Sequence, residues 1–445
     1  MSFPRYPEYK PSCAEWLGEI PEHWGAAALR WLSRRYSGGT PDRDNPAYWV
    51  GGVVPWLNSG AVNDRFIREP SATITDAGLA ESSAKWIPRG ALVMALAGQG
   101  RTKGMVAQLD FDSTCNQSMA AIIPGTGLSA RFLFWWLDSN YQNIRNMAGG
   151  DLRDGLNLDL LGNIPCPLPP LPEQRAIAAF LDRETAKIDG LVAEQQRLIE
   201  LLKEKRQAVI SHAVTKGLDP KAPMKPSGVE WLGDVPEHWE VHKLGRLGRF
   251  RAGAGFPDTH QGQLGLPIPF FKVGDLNRAD SRGAMVEAQH TITADTAATL
   301  RAAIFPPSAI VFAKVGAALL LQRFRWLDRP ACIDNNMMGF ELSPAADLRF
   351  TLYRLPLIDL SRIANPGAVP SINEGQLSEL RLALPPLPEQ RAIAAFLDSE
   401  TAKIDGLIAE AESAITLLQE RRSALISAAV TGQIDVRNVV ATEVA

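Results

Sequence analysis

The sequence is poor in the features that most quickly assign a function. Its four cysteines, Cys13, Cys115, Cys166 and Cys332, lie far apart and form no C-x-x-C pair. That spacing indicates neither a disulfide framework nor a zinc site, so free thiols are expected. Long apolar runs are missing as well: the longest, Ala309 to Leu321, is broken by Lys314 and is too short to cross a bilayer as a helix. The opening MSFPRYPEYK has no apolar stretch after its first basic residue. It makes a poor export signal, and a cytoplasmic protein without a membrane partner is expected. An excess of positive charge is also lacking. The formal net charge of −3 counts against a protein that grips nucleic acid by bulk electrostatics, so any such surface must be local.

Catalytic patterns are approached but not completed. Asn45-Pro46-Ala47-Tyr48 resembles the N-P-P-Y motif with which an amino-methyltransferase holds its target amine, but the third residue is wrong and no Gly-rich cofactor turn accompanies it. The segment Gly98-Gln99-Gly100-Arg101-Thr102-Lys103-Gly104 lacks the G-x-x-x-x-G-K-[ST] order that wraps phosphates. It reads as a loop or hairpin whose polar side chains could reach bases or phosphates. His238 and His242 stand four apart, yet no Glu follows His238 as in H-E-x-x-H. His23 and His238, with Trp24 and Trp239, are expected to fix a turn by packing and hydrogen bonding. Neither a metal, nor a cofactor, nor catalysis by the chain itself is expected.

What the sequence does have is a tandem repeat. LPPLPEQRAIAAFLD, Leu168 to Asp182, recurs unchanged as Leu384 to Asp398, an offset of 216. The match continues through ETAKIDGL at Glu184 and Glu400 and fades towards AVT at Ala213 and Ala429. Upstream, EWLGEIPEHW from Glu15 returns as EWLGDVPEHW from Glu230, at an offset of 215. Between these blocks identity collapses to a faint skeleton, VPWLNSGAVN (Val54 to Asn63) against IPFFKVGDLN (Ile268 to Asn277), and ALVMA (Ala91) against AIVFA (Ala309). Each half is therefore a constrained frame around a divergent insert of about 120 residues, enough for a domain. Drift after duplication would not spare one block completely while erasing its neighbour.

After PLPPLPEQ the prolines stop, and good helix formers run from Glu173 to about Thr215, a span of roughly 60 Å as a helix. Apolar residues fall in heptads, with Leu181, Ile188, Leu202 and Val209 on one register and Ile177, Leu191 and Leu198 on the other, interrupted by Glu184, Gln195 and Lys205. Leu397, Ile404, Leu418 and Leu425 repeat the first register. Two such helices in one chain are expected to pair. The short tether from Lys216 to Val229 holds the second half near the end of the first helix, which requires an antiparallel pair, a rod with one domain at each end and a pseudo-two-fold axis. A reader of this symmetry suits two half-sites on DNA, and unlike inserts suit unlike half-sites.

These marks, the EWLG-x-[IV]-PEHW opener, the IPW-like segment with a Gly and an Asn after it, and PLPPLPEQ leading into a long helix, each occurring twice, resemble the specificity subunits of type I restriction-modification enzymes. The resemblance covers almost the whole chain. It implies an α+β fold of two mixed α/β target-recognition domains separated by two long antiparallel coiled-coil helices. It implies as partners double-stranded DNA, two adenine-methyltransferase subunits docked on the helices, and motor nuclease (restriction) subunits. The expected division is 1–165 for the first half with its recognition domain, 166–223 for the central helix and linker, 224–383 for the second half, and 384–445 for the C-terminal helix and tail. Two other readings stay open: the specificity subunit of a system that fuses methylation and cleavage in one partner, and a coiled-coil scaffold whose terminal domains bind proteins.

Arg and Lys suit guanine, and Asn and Gln suit adenine, so the polar residues of the inserts are the candidate base contacts. In the first insert they are Asn58, Asn63, Arg101, Lys103, Asn116, Gln117 and Arg153; in the second, Lys272, Asn277, Lys314, Asn335 and Asn336. Any one of them also fits an ordinary loop or cap. Arg30, Arg34 and Arg35, and Lys243, Arg246, Arg249 and Arg251, form basic patches suited either to phosphates or to a solvated helix face. Lys187, Lys403, Arg206 and Arg422 on the helices are expected to face partner subunits or solvent.

Overall fold

Each Leu-Pro-Glu-Gln block opens a helix because its proline occupies the first turn, where no donor is needed, and its glutamate meets the positive end of the helix dipole. In the computed structural model these helices are Leu171–Lys216, 46 residues, and Leu387–Val430, 44 residues. Both stop at a glycine in the left-handed region, Gly217 (φ 78°) and Gly432 (φ 75°). The described residues are 3–12, 14, 16–98, 101–148, 155–365, 367 and 369–437.

The chain divides into two compact units, Met1–Gln196 with Glu412–Ala445, and Arg197–Ala411. In the first unit Ile177, Phe180 and Leu181 share a core with Ile426, Ala429 and Val430, while Asp189 pairs with Arg422 at 2.8 Å. As one helix advances the other recedes, so the pair is antiparallel. The second unit repeats this with Ile210, Ala213 and Val214 against Ile393, Ala394 and Leu397, and with Arg206 on Asp405 at 2.9 Å.

The seam corrects one of the two expected heptad rows. Leu181, Ile188 and Leu202 are buried and Val209 partly so, as the first register requires; of the second row Ile177 is buried, but Leu191 and Leu198 are 47% and 43% exposed. The companion row runs one residue later through Thr185, Val192, Ile199, Arg206 and Ala213, the 4-3 spacing of knobs-into-holes packing. In the second helix Thr401, Ile408, Ile415, Arg422 and Ala429 take these places. Arg206 and Arg422 thus pair with aspartates of the facing helix, Arg422 14% exposed and Arg206 still 37% exposed.

The inserts share one topology although their sequences diverged. In the first, a five-stranded sheet orders Ser33–Ser37, Met119–Pro124, Leu92–Ala95, Val106–Leu109 and Phe66–Ile67. In the second, Gly248–Ala252, Met337–Leu342, Ile310–Ala313, Arg325–Leu327 and Ala284–Met285 follow the same order. A three-stranded sheet accompanies each, Thr114–Cys115, Val54–Leu57 and Ala72–Ile74 in one, and Thr291–Ile292, Ile268–Phe271 and Cys332–Ile333 in the other. The faint skeleton is the buried part: Leu92–Ala95 and Ile310–Ala313 are buried at every position. Each insert leaves and rejoins its frame through an antiparallel pair, Gly25–Ala28 with Pro165–Leu168 and Glu240–Lys243 with Arg381–Leu384.

The tether from Lys216 to Val229 is more than a link. Met224–Pro226 pairs with Asp234–Pro236 just as Tyr9–Pro11 pairs with Glu19–Pro21. Cys115, Cys166 and Cys332 are free and buried, and burial pushes their thiols up to about 12, 12 and 11 respectively. Cys13 lies outside the described residues. Among the described residues no helix is long and apolar enough to cross a membrane.

Candidate nucleic-acid interface

The unchanged blocks meet in space, and this explains why both are spared. Glu173, 5% exposed, accepts from Trp24 Nε1 at 3.0 Å and from the Tyr6 hydroxyl, and bonds His23 Nε2 at 2.9 Å. Glu389 repeats this with Trp239 Nε1 at 3.1 Å and His238 Nε2 at 2.7 Å. The expected role of these histidines and tryptophans in fixing a turn therefore centres on a carboxylate from the other block. Burial, then the Glu173 carboxylate, pushes the Tyr6 hydroxyl well above its ordinary value, so it stays a donor. His242 pairs with Glu240 at 3.0 Å.

The next frame residues anchor the inserts. Gln174 accepts from Ser129 N at 2.7 Å and donates to the Gly127 and Pro169 carbonyls; Gln390 does the same for Asp347 N and the Ala345 and Pro385 carbonyls. Asp182 takes Arg131 and Trp135, and Asp398 takes Arg349 and Tyr353. The guanidinium and the phenol hold the Asp398 carboxyl below its ordinary range against the opposing effect of burial.

On this frame, each insert gathers polar loops at the carboxyl ends of the parallel pair in its three-stranded sheet. Asn116 N donates to Leu57 O at 2.9 Å, which sets Asn116 and Gln117 beside Asn58; Asp334 N donates to Phe271 O at 3.0 Å, which sets Asn335 and Asn336 beside Lys272. The close approach needs glycine. A Cβ on Gly38 would lie 1.9 Å from the Cys115 carbonyl oxygen, and one on Gly253 2.0 Å from that of Asp334. Gln117 accepts from the Thr40 hydroxyl, and Lys314 N donates to Asn336 O at 2.9 Å, which brings Lys314 into the second cluster.

Not every candidate joins these clusters. Asn58 and Lys272 begin equivalent 3-10 turns, Asn58 accepting from Gly60 N at 2.8 Å and Lys272 Nζ donating to Gln261 at 3.0 Å. Asn63 and Asn277 end the same turns, Asn63 bonded to the Gly60 carbonyl and Asn277 to Arg323. Lys103 is 4% exposed and engaged, so it is not presented at the surface. Arg101 is exposed, its carbonyl accepting from the Tyr141 hydroxyl at 2.6 Å. Arg153, Gln99 and Gly100 lie outside the described residues. Asn45 caps the turn Pro46–Tyr48 by accepting from Ala47 N at 3.1 Å, a structural use of the incomplete methyltransferase motif.

The basic patches are only partly available. Arg35 is spent on the Leu29 and Ser33 carbonyls, Lys243 pairs with Glu379 at 2.6 Å and Arg251 with Glu341. Arg30, Arg34, Arg246 and Arg249 are exposed. Sequence reading missed two clefts that gather arginines together with the aspartates Asp138, Asp398 and Asp405. A cleft of about 630 Å³ in the first unit is lined by Arg65, Arg101, Arg145 and Arg422, and one of about 900 Å³ in the second by Arg206, Arg282, Arg325 and Arg349. Helix residues Arg422, Ser423 and Ile426 take part in the first where Arg206, Gln207 and Ile210 take part in the second. The arginines from the inserts come from scattered positions, so only folding collects them.

Fold and site together define a DNA-specificity domain present twice on a frame of paired helices. The chain belongs to the family of the type I restriction modification DNA specificity domain, whose model matches residues 34–201 and 236–416. Its function is DNA sequence specificity in a type I restriction-modification system. It is similar to the type I restriction enzyme MjaIX specificity subunit of Methanocaldococcus jannaschii, 21% identical over 95% of this chain and 96% of that one. The EcoR124I/EcoR124II specificity subunit of Escherichia coli is 25% identical over 43% of this chain and 46% of its own length. Among solved structures, a chain from a study of type I R-M complex assembly covers 93% of this chain and 99% of its own, at 18% identity and a TM-score of 0.73. The HsdS subunit from Thermoanaerobacter tengcongensis covers 93% of this chain and 98% of its own, at 17% identity and a TM-score of 0.57. The expected α+β fold, with two mixed α/β domains and long antiparallel helices, is the fold found.

Proposed function

We propose that the chain is the non-catalytic reader of a type I complex, in which each unit recognises one part of a split, asymmetric DNA target. One observation carries this reading: the two inserts share a backbone and differ in the polar residues they present at equivalent places. Asn58 stands where Lys272 stands, Asn116 where Asp334 stands, and Gln117 where Asn335 stands. Burial pushes the Asp334 carboxyl above its ordinary range, a further difference from the neutral Asn116. Different donors and acceptors on one scaffold select different bases. The candidate contacts closest to this role are Asn58, Asn116 and Gln117, and Lys272, Lys314, Asn335 and Asn336; Asn63 and Asn277 end the turns that Asn58 and Lys272 begin. The exposed Arg30, Arg34, Arg246 and Arg249 suit the backbone phosphates, which position without specifying.

Two copies of a methyltransferase subunit dock on the helices, and restriction subunits complete the assembly. Support comes from the apolar residues outside the seam. Leu191 and Leu201 are 47% and 45% exposed, and their equivalents Leu407 and Leu417 are 49% and 65% exposed. An outward leucine pair repeated on both helices fits one apolar partner bound twice. Native mass spectrometry of the purified complex is expected to show two methyltransferase copies per chain. That complex is expected to prefer its target over unrelated duplex by a factor of about 10³ or more at physiological salt. Assembly without sequence preference would favour the scaffold reading instead.

A further inference from the structure

The first unit carries an arginine that is held in place by aromatic faces. Arg43 lies over Trp49 at 5.9 Å and over Trp56 at 5.8 Å, and the two indoles meet edge to face at 5.3 Å and 86°. Two perpendicular walls restrict a long side chain far more than one does. Each indole is fixed by the strand of chain that bears the arginine: Trp56 Nε1 donates to Gly39 O and Trp49 Nε1 to Asp42 O, both at 2.9 Å. Cation–π attraction uses none of the guanidinium's N–H donors, so they remain available to a further partner.

Arg43 is exposed, and among the described residues no carboxylate pairs with it. It lines an open pocket of about 360 Å³ with Asn58 and Ser71, beside the loop where Thr40 meets Gln117. Its neighbours Asp42 and Asp44 outweigh its charge locally, so the segment is no general anion site. A preorganised fork, an adjacent Asn and a locally acidic setting suit a base edge better than a phosphate.

Among the described residues the second unit has no such device. In the segment after its equivalent strand Phe256 stacks on Phe270 at 3.8 Å, His290 lies against Phe256, and Lys272 is bonded to Gln261.

We infer that Arg43 is a specificity-determining residue of the first unit, its guanidinium fork reading the major-groove edge of a guanine in one half-site only. The inference rests on the reader function proposed above, and its test separates the two. The chain, Arg43→Ala and Arg43→Lys would each be expressed with the methyltransferase partner in one host, and methylation scored at every single-base variant of the wild-type motif.

Arg43→Ala is expected to reduce discrimination at one G·C position about 10-fold or more, leaving the other half-site unchanged. Arg43→Lys keeps the charge but loses the fork, and is expected to relax the same position. Matching melting curves for the three proteins would exclude a folding defect, and Arg43→Lys alone decides if the alanine variant melts early. An unaltered motif in both variants, or an equal loss at all sites with no position relaxed, would overturn the inference while leaving the reader function standing. A wild-type chain that yields no split motif would remove the reader function and this inference with it.

Discussion

Replacing Glu173 with alanine is expected to lower the stability of the first unit by about 3 kcal/mol. The carboxylate is nearly inaccessible and accepts from Trp24 Nε1 and the Tyr6 hydroxyl while bonding His23. Its removal leaves two buried donors without an acceptor, each costing about 1–3 kcal/mol, and opens a gap between the two spared blocks. Glu389→Ala should cost about half as much, because Glu389 is 29% exposed and no tyrosine joins its cluster. Urea unfolding followed by tryptophan fluorescence measures both. A larger loss for Glu389→Ala would mean that the buried carboxylate is not the clasp of the frame.

The second large effect concerns the inserts as interchangeable readers. A chain carrying a second copy of residues 29–164 in place of 244–380 is expected to fold and to direct a methyltransferase partner to a target whose two parts are alike. The junctions are equivalent: Leu29 N donates to Ile164 O at 2.9 Å and Leu244 N to Leu380 O at 2.7 Å. The anchors awaiting the graft are also the same residues, since Gln390 and Asp398 stand ready to bind what Gln174 and Asp182 bind. Methylation of the original target should fall by a factor of about 10³, the gap between specific and non-specific sites. Continued methylation of the original split target would place recognition outside the inserts.

The frame was legible in the sequence because it is written there twice. The repeat gave both long helices to within a few residues, the duplication of the inserts and the first seam register. The second register misled because Leu191 and Leu198 keep the heptad spacing while facing outward, and composition does not distinguish a seam from an outer docking face. Arg206 and Arg422 misled for the opposite reason: charged residues read as exposed, yet each finds an aspartate on the facing helix. The tether hid a strand because Met224–Pro226 is short and ends in proline.

At the site, the loops following the IPW-like segments were legible as polar positions, and the structure brings Asn58, Asn116 and Gln117 into one cluster. Arg43 was not. Its signal is an arginine followed by two tryptophans, Trp49 six and Trp56 thirteen residues on, and only the crossing of the chain at Gly38 and Gly39 turns that sequence into a corner. The burial of Lys103 and the collection of arginines into clefts depend on long-range packing that no local pattern records.

Methylome sequencing of a host expressing this chain with its methyltransferase partner, against the same host lacking the chain, tests the central claim most directly. The expected result is a new adenine-methylated motif, split by a spacer into two unlike parts. An active methyltransferase partner with no new motif would contradict the account.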